Sequence, residues 1–154
     1  MTNIVDRMLE GQLHSVSGGE AAVEARATRE YIFSVPATLI AGAQDFMVGC
    51  NVVEDGEVQS VEIGFSTDIT GDNTDYFTLL LKKNDGAGGA ETTVASLAFL
   101  TGEDATTEAL KALTLAGSGA SSVTAGQALG LEITKTGSGL VSPALNVIVK
   151  VLAT

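Results

Sequence analysis

ALGLEITKTGSGLVSPALNVIVKV, residues 128–151, decides the fold. Leu129, Leu131 and Ile133 alternate with small or polar residues. TGSG interrupts the pattern, and Leu145, Val147, Val149 and Val151 resume it after Pro143. A period of two puts all the apolar side chains of an extended segment on one face. The stretch therefore predicts two half-buried strands separated by a turn.

The same pattern extends toward the N-terminus. Tyr31, Phe33 and Val35 alternate, and Pro36 then removes a ladder donor, so this strand lies at an edge or breaks there. Phe46, Val48, Cys50 and Val52 share a phase, and Glu54–Gly56 reads as a hairpin turn. Val61, Ile63 and Phe65 make the next strand, and TDITGDNTD (67–75) a polar loop. Phe77, Leu79 and Leu81 face one way; Tyr76, Leu80 and Lys82 face the other. NDGAGGAE (84–91) is an exposed, mobile turn.

Val94 to Leu100 is almost continuously apolar, which suggests a strand covered on both faces. TGEDATTE (101–108) is a loop or a single helical turn. Leu110, Leu113 and Leu115 fit a helix or a strand; a strand over 111–116, closed by GSGASS, is favoured. Eight or nine strands result, with no long helix and no internal repeat. The fold class is all-β: an antiparallel β-sandwich, jelly-roll-like, with an extended N-terminal arm. The expected core is Phe33, Phe46, Val48, Val61, Ile63, Phe65, Phe77, Leu79, Leu97, Phe99, Leu131, Ile133, Val147 and Val149.

Residues 1–30 do not share this pattern. They read as an arm, and residues 31–154 as the β-sandwich domain. The arm opens with Ile4, Val5, Met8 and Leu9 on one face of a two-turn helix too short to be stable alone. It is either a loose tail or a segment that orders against a partner. All three arginines (Arg7, Arg26, Arg29) fall in it, and all five lysines fall in the body. Arginine's planar fork suits interface carboxylates better than lysine does. The candidate partner-binding residues are therefore Ile4, Val5, Arg7, Met8, Leu9, Arg26 and Arg29.

Composition narrows the function. A hydrophobic share of 45% with 18% charged residues excludes a disordered chain. The formal net charge is −11, of which the body, with 5 basic and 14 acidic residues, carries −9. This excludes a nucleic-acid footprint and disfavours anionic membranes. The acidity serves solubility or a partner with a basic surface. No continuous apolar segment suggests a secretory signal or a membrane span, so synthesis and folding in a cytoplasm are expected.

Little here suggests catalysis. The single histidine, His14, lies in the arm, away from any Ser or Asp of the body. Cys50 is the only cysteine; it cannot form an internal disulfide and reads as a small buried hydrophobe. Zinc would need more Cys and His than these two residues provide. Asp68, Asp72, Asn73 and Asp75 are the best cation candidates, but their spacing departs from known calcium loops, and Asx-type turns explain them as well. The Gly-rich GAGG and GSG segments lack a following helix and Lys, so they are turns. No catalytic residue, cofactor or metal is expected.

The C-terminal stretch Thr124–Val151, with its AG-x-x-L-x-L-x-I strand and its closing alternating strand, resembles tailed-bacteriophage capsid decoration (cement) and head-fibre proteins. The plan of an N-terminal arm followed by a small jelly roll is similar as well. The resemblance implies a viral structural protein: a homotrimer on the outer surface of a phage head, bound between major capsid protein subunits. The arm would clasp neighbours and stabilise the shell without touching DNA. The alternative is a receptor- or glycan-binding module of a virion fibre, acting through the loops at 67–75 and 84–91.

Overall fold

The computed structural model describes residues 27–37, 44–87, 89–117, 119–138 and 141–154, excluding the side chains of Gln44, Asp45, Phe46 and Val48. They form ten strands and no helix: β1 (Thr28–Val35), β2 (Gln44–Asn51), β3 (Gly56–Phe65), β4 (Tyr76–Asn84), β5 (Thr92–Ala98), β6 (Lys111–Ala112), β7 (Thr114–Leu115), β8 (Ser122–Val123), β9 (Ala128–Thr136) and β10 (Leu145–Ala153). All pairings are antiparallel. One sheet runs β1-β10-β3-β6, with β8 also on β3; the other runs β2-β9-β4-β5-β7. The protein is an antiparallel β-sandwich, as its alternating runs predict.

The chain folds back on itself in nested pairs. β1 pairs with β10, β2 with β9, β3 with β6 and β8, and β4 with β5. The pairing begins at Thr28, opposite Leu152, so the first strand starts three residues before Tyr31. Arg29 and Glu30 therefore belong to the sheet. β1 lies at an edge, as Pro36 led one to expect.

The inward faces meet in one core. Val61, Ile63, Phe77, Leu79, Leu81, Leu131, Ile133, Val147 and Val149 are fully buried. Phe33, Phe65 and Phe99 also belong to it, while Leu97 is only partly buried against it. Phe46 and Val48 lie among the side chains outside the description. The ring of Phe99 packs on Phe65 of one sheet (centroids 5.5 Å, edge-on) and on Phe77 of the other (4.8 Å). One aromatic trio thus ties the two sheets together at one end of the sandwich.

Three departures from the sequence reading have clear causes. Glu54–Gly56 is not a hairpin turn, because β2 and β3 lie in different sheets; the chain crosses between them there. Turn residues specify a reversal but not the partner of the returning strand. The segment 111–115 is not one strand either. β6 pairs with β3 and β7 with β5, so the chain changes sheets around buried Leu113, whose N–H donates to the Val61 carbonyl. Finally, bulges break the period of two. One between Lys150 and Val151 lets Val58 and Val61 both face inward, and another beside Leu81 buries Val94 and Ala95 together. Irregular pairing along β2 puts Met47 and Cys50 against the core, both only partly buried. Val94–Leu100 is not covered throughout, since Leu100 is exposed beyond the end of β5.

Phe77→Ala should cost about 3–5 kcal/mol of stability, because it leaves a cavity beneath the aromatic trio. Ile32→Thr, on the exposed face of β1, should change stability by less than about 1 kcal/mol. Urea unfolding of the two full-length variants measures both.

Candidate functional site

The sequence nominates two regions, the N-terminal arm and the acidic loops. Of the arm candidates, Ile4, Val5, Arg7, Met8, Leu9 and Arg26 lie outside the described residues, as does His14. Arg29 lies on β1. Its guanidinium holds Glu54 through two N–H donors, one of them Nη2 to Oε2 at 3.2 Å. The pair lowers the Glu54 carboxyl below its ordinary range and raises Arg29. Such a surface pair is worth little alone. Its position is what matters, because it fastens the start of β1 to the β2–β3 crossing. The Tyr31 hydroxyl accepts the Val53 N–H at 3.2 Å and adds a second tie there.

The loops 67–75 and 84–91 lie at opposite ends of the sandwich. β4 runs between them, nine residues or about 30 Å at ~3.3 Å per residue. They do not form one surface.

At the end that holds the aromatic trio, Asp and Asn side chains tie the loops 66–75 and 99–110 to each other and to Ser138. Asp68 Oδ1 accepts the Thr107 N–H at 2.8 Å, and Asp104 Oδ1 accepts the Gly71 N–H at 2.9 Å. Asn73 Oδ1 accepts the Thr101 N–H at 3.0 Å, and Asp75 Oδ1 accepts that of Ser138. Asp72 Oδ1 takes the N–H groups of Thr74 and Asp75, at 2.6 and 2.9 Å. Ile69 and Ala105 add a two-way backbone bridge. Gly71 packs so closely on the Leu100 carbonyl that no Cβ fits, and Gly137 adopts a left-handed φ of 66° against Thr74 and Asp75.

Asp68, Asp72, Asn73 and Asp75 therefore do not converge on a common point. Each binds a different part of the backbone. Among the described residues, no group of three or more His, Cys, Asp or Glu is placed to hold a metal ion. The chemistry they carry out here is loop bracing.

The opposite end uses the same device. Asp85 Oδ1 accepts the Ala87 and Gly89 N–H groups, each at 2.9 Å, and so fixes a turn that its glycines suggested was loose. Lys83 points along the inner face, and its ammonium donates to the carbonyls of Ser122 and Gly119. Burial lowers its pKa. Lys82 is on the outer face, where Glu132 and Glu91 hold it and raise its pKa. The Cys50 thiol is half-buried, and burial pushes its pKa up, away from the reactive thiolate.

Two hollows lie at the braced end. A cleft of about 590 Å³ runs beside Val35, Pro36, Phe65 and Thr107, and no described residue lining it is ionisable. A smaller groove of about 240 Å³ is lined by Asp68, Ile69, Phe77, Val141 and Pro143, among others.

Asp72 and Asp85 are held below the ordinary carboxyl value, mainly by the backbone N–H groups they accept. Their contribution to stability is complete above the unfolded value near ~3.9 and is lost as pH falls through the lowered folded values. Amide-exchange protection at Thr74, Asp75, Ala87 and Gly89 should therefore fall below about pH 4, while amides of β9 and β10 keep theirs. Asp72→Ala should remove the protection at Thr74 and Asp75 at neutral pH.

Set against protein-family models, curated proteins and solved structures, the chain shows no significant match to any.

Proposed function

We propose that this chain is a structural protein of a virion: a non-enzymatic capsid decoration protein that binds the outside of a phage head between major capsid subunits. The junction between leader and sandwich carries this reading. The first strand lies at a sheet edge and begins at Thr28, so the 27 residues before it precede the sandwich in sequence. Those residues include the apolar set Ile4, Val5, Met8 and Leu9 and two of the three arginines. Arg29, the third, is held by Glu54 and anchors the leader's exit from the sheet.

Other observations support the same reading. The nested strand order, with pairs formed between the chain's beginning and its end, is compatible with a jelly roll. The carboxylates at both ends brace loops, which suits a part that must keep its shape under load. A leader that orders on a neighbour covers surface a compact domain cannot reach. Several copies in a homotrimer multiply weak contacts by avidity. No nucleic acid or membrane is needed.

The test uses purified phage shells that lack the protein. The full chain should bind them and should show a trimer's mass in light scattering. The double change Met8→Asp and Leu9→Asp should weaken shell binding at least about tenfold, each side chain burying apolar area in the contact. Its thermal unfolding should stay the same. Undiminished binding by that variant would overturn the role of the leader.

A further inference from the structure

The smaller groove at the braced end combines three properties. Its lining sets Ile69, Phe77, Pro143 and Val141, the last at 54% exposure, beside Thr67, Thr70 and Asp68. Leu100, 39% exposed, follows Phe99 in the adjoining loop. Apolar groups left in water mark contact surfaces when they cluster. The groove is also small. At about 240 Å³ it falls below the ~300–1,000 Å³ of metabolite pockets, and it suits a single large side chain.

The loops at its end of the sandwich are acidic, and Asp68 lines the groove itself. The loops 66–75 and 99–110 contain six carboxylates (Asp68, Asp72, Asp75, Glu103, Asp104 and Glu108) and no lysine or arginine. Two lysines reach this end: Lys111, on β6, is bound to Glu103 and to the Asp104 carbonyl, and the Lys135 ammonium, on β9, lies over the Phe77 ring, 5.9 Å from its centroid. In four of the six, Asp68, Asp72, Asp75 and Asp104, the braces use Oδ1. Bracing also means that the rim loses little conformational freedom when it binds.

We infer that this groove docks a segment of a partner protein that carries one large apolar side chain flanked by arginine or lysine. The apolar side chain enters beside Ile69 and Val141. The flanking cations meet Asp68 and the neighbouring carboxylates, where a guanidinium can bind two oxygens at once. The chain's own Ile4–Leu9 fits less well, because its one cation, Arg7, is set against two carboxylates, Asp6 and Glu10. This contact does not depend on the leader, so either can fail without the other.

The test titrates the full-length chain, carrying labelled methyl groups, with capped pentapeptides. Gly-Arg-Leu-Arg-Gly should shift the methyls of Ile69, Val141 and Leu100 and leave those of Val53 and Val123, at the other end, in place. It should bind roughly tenfold tighter than Gly-Arg-Gly-Arg-Gly, and Gly-Glu-Leu-Glu-Gly should not bind. Val141→Ser should weaken the leucine peptide selectively, and Glu108→Lys should weaken both arginine peptides; both positions are exposed and leave the core intact. Equal binding of the two arginine peptides, or shifts at both ends of the sandwich, would reduce the effect to general charge attraction and overturn the proposal. Tighter binding of a peptide of residues 3–12 would overturn it too, assigning the groove to the chain's own leader.

Discussion

Both sheets depend on the last two long strands. β10 lies between β1 and β3, and β9 lies between β2 and β4. Without them, each sheet loses its connection between early strands. Their inner residues, Leu129, Leu131 and Ile133 on one side and Val147, Val149 and Val151 on the other, are fully buried. Burying six such side chains is a large part of what any core of this size can gain. The pairing also spans most of the chain: Thr28 meets Leu152 and Asn51 meets Ala128. Contacts so distant in sequence close long loops, which makes folding slow and the finished fold hard to open piecemeal.

The core and the loop end are mechanically one unit. Phe65 and Phe77 belong to different sheets, and Phe99 touches both. The backbone of Phe99 continues the link: its N–H donates to the Phe77 carbonyl at 3.1 Å, and its own carbonyl accepts from Asp72 at 3.1 Å. From there the carboxylate braces take over. A force on the loop at 67–75 is thus carried into the aromatic trio within a few bonds. Glycine contributes where space demands it, since the contact of Gly71 with Leu100 leaves no room for a side chain.

Much of this was legible in the sequence, for a physical reason. Strands β3, β4, β9 and β10 are buried on one face and wet on the other, so alternation reports them directly. What the sequence hid was everything set by distant partners. A bulge beside Lys150 cannot be read from the residues around Val58, yet it puts Val58 in the core. The two-residue strands β6, β7 and β8 exist only because longer strands offer them a free edge. The Asp residues of 67–75 were recognisable as turn-formers. Only Asp72 behaves so locally; Asp68, Asn73 and Asp75 reach backbone 39, 28 and 63 residues away. The groove was invisible for the same reason. Ile69, Phe77 and Val141 meet there from three separate stretches of chain.

The geometry also separates the two contact regions that we propose. The leader enters β1 at Thr28, opposite Leu152, at the end that holds the Asp85 turn. The acidic groove lies at the other end, a strand length away. The start of β1 and the groove are thus about 30 Å apart, nine residues at ~3.3 Å each. Joining two weak contacts through one body makes the second binding event intramolecular, provided that the geometry lets both engage at once. The ladder of β3, β10 and β1, interrupted by one bulge, and the braces at both ends hold the spacing between the two ends. On this view the charge of −11 has a local meaning as well as a global one. It favours solubility, and its carboxylates brace the loops at both ends.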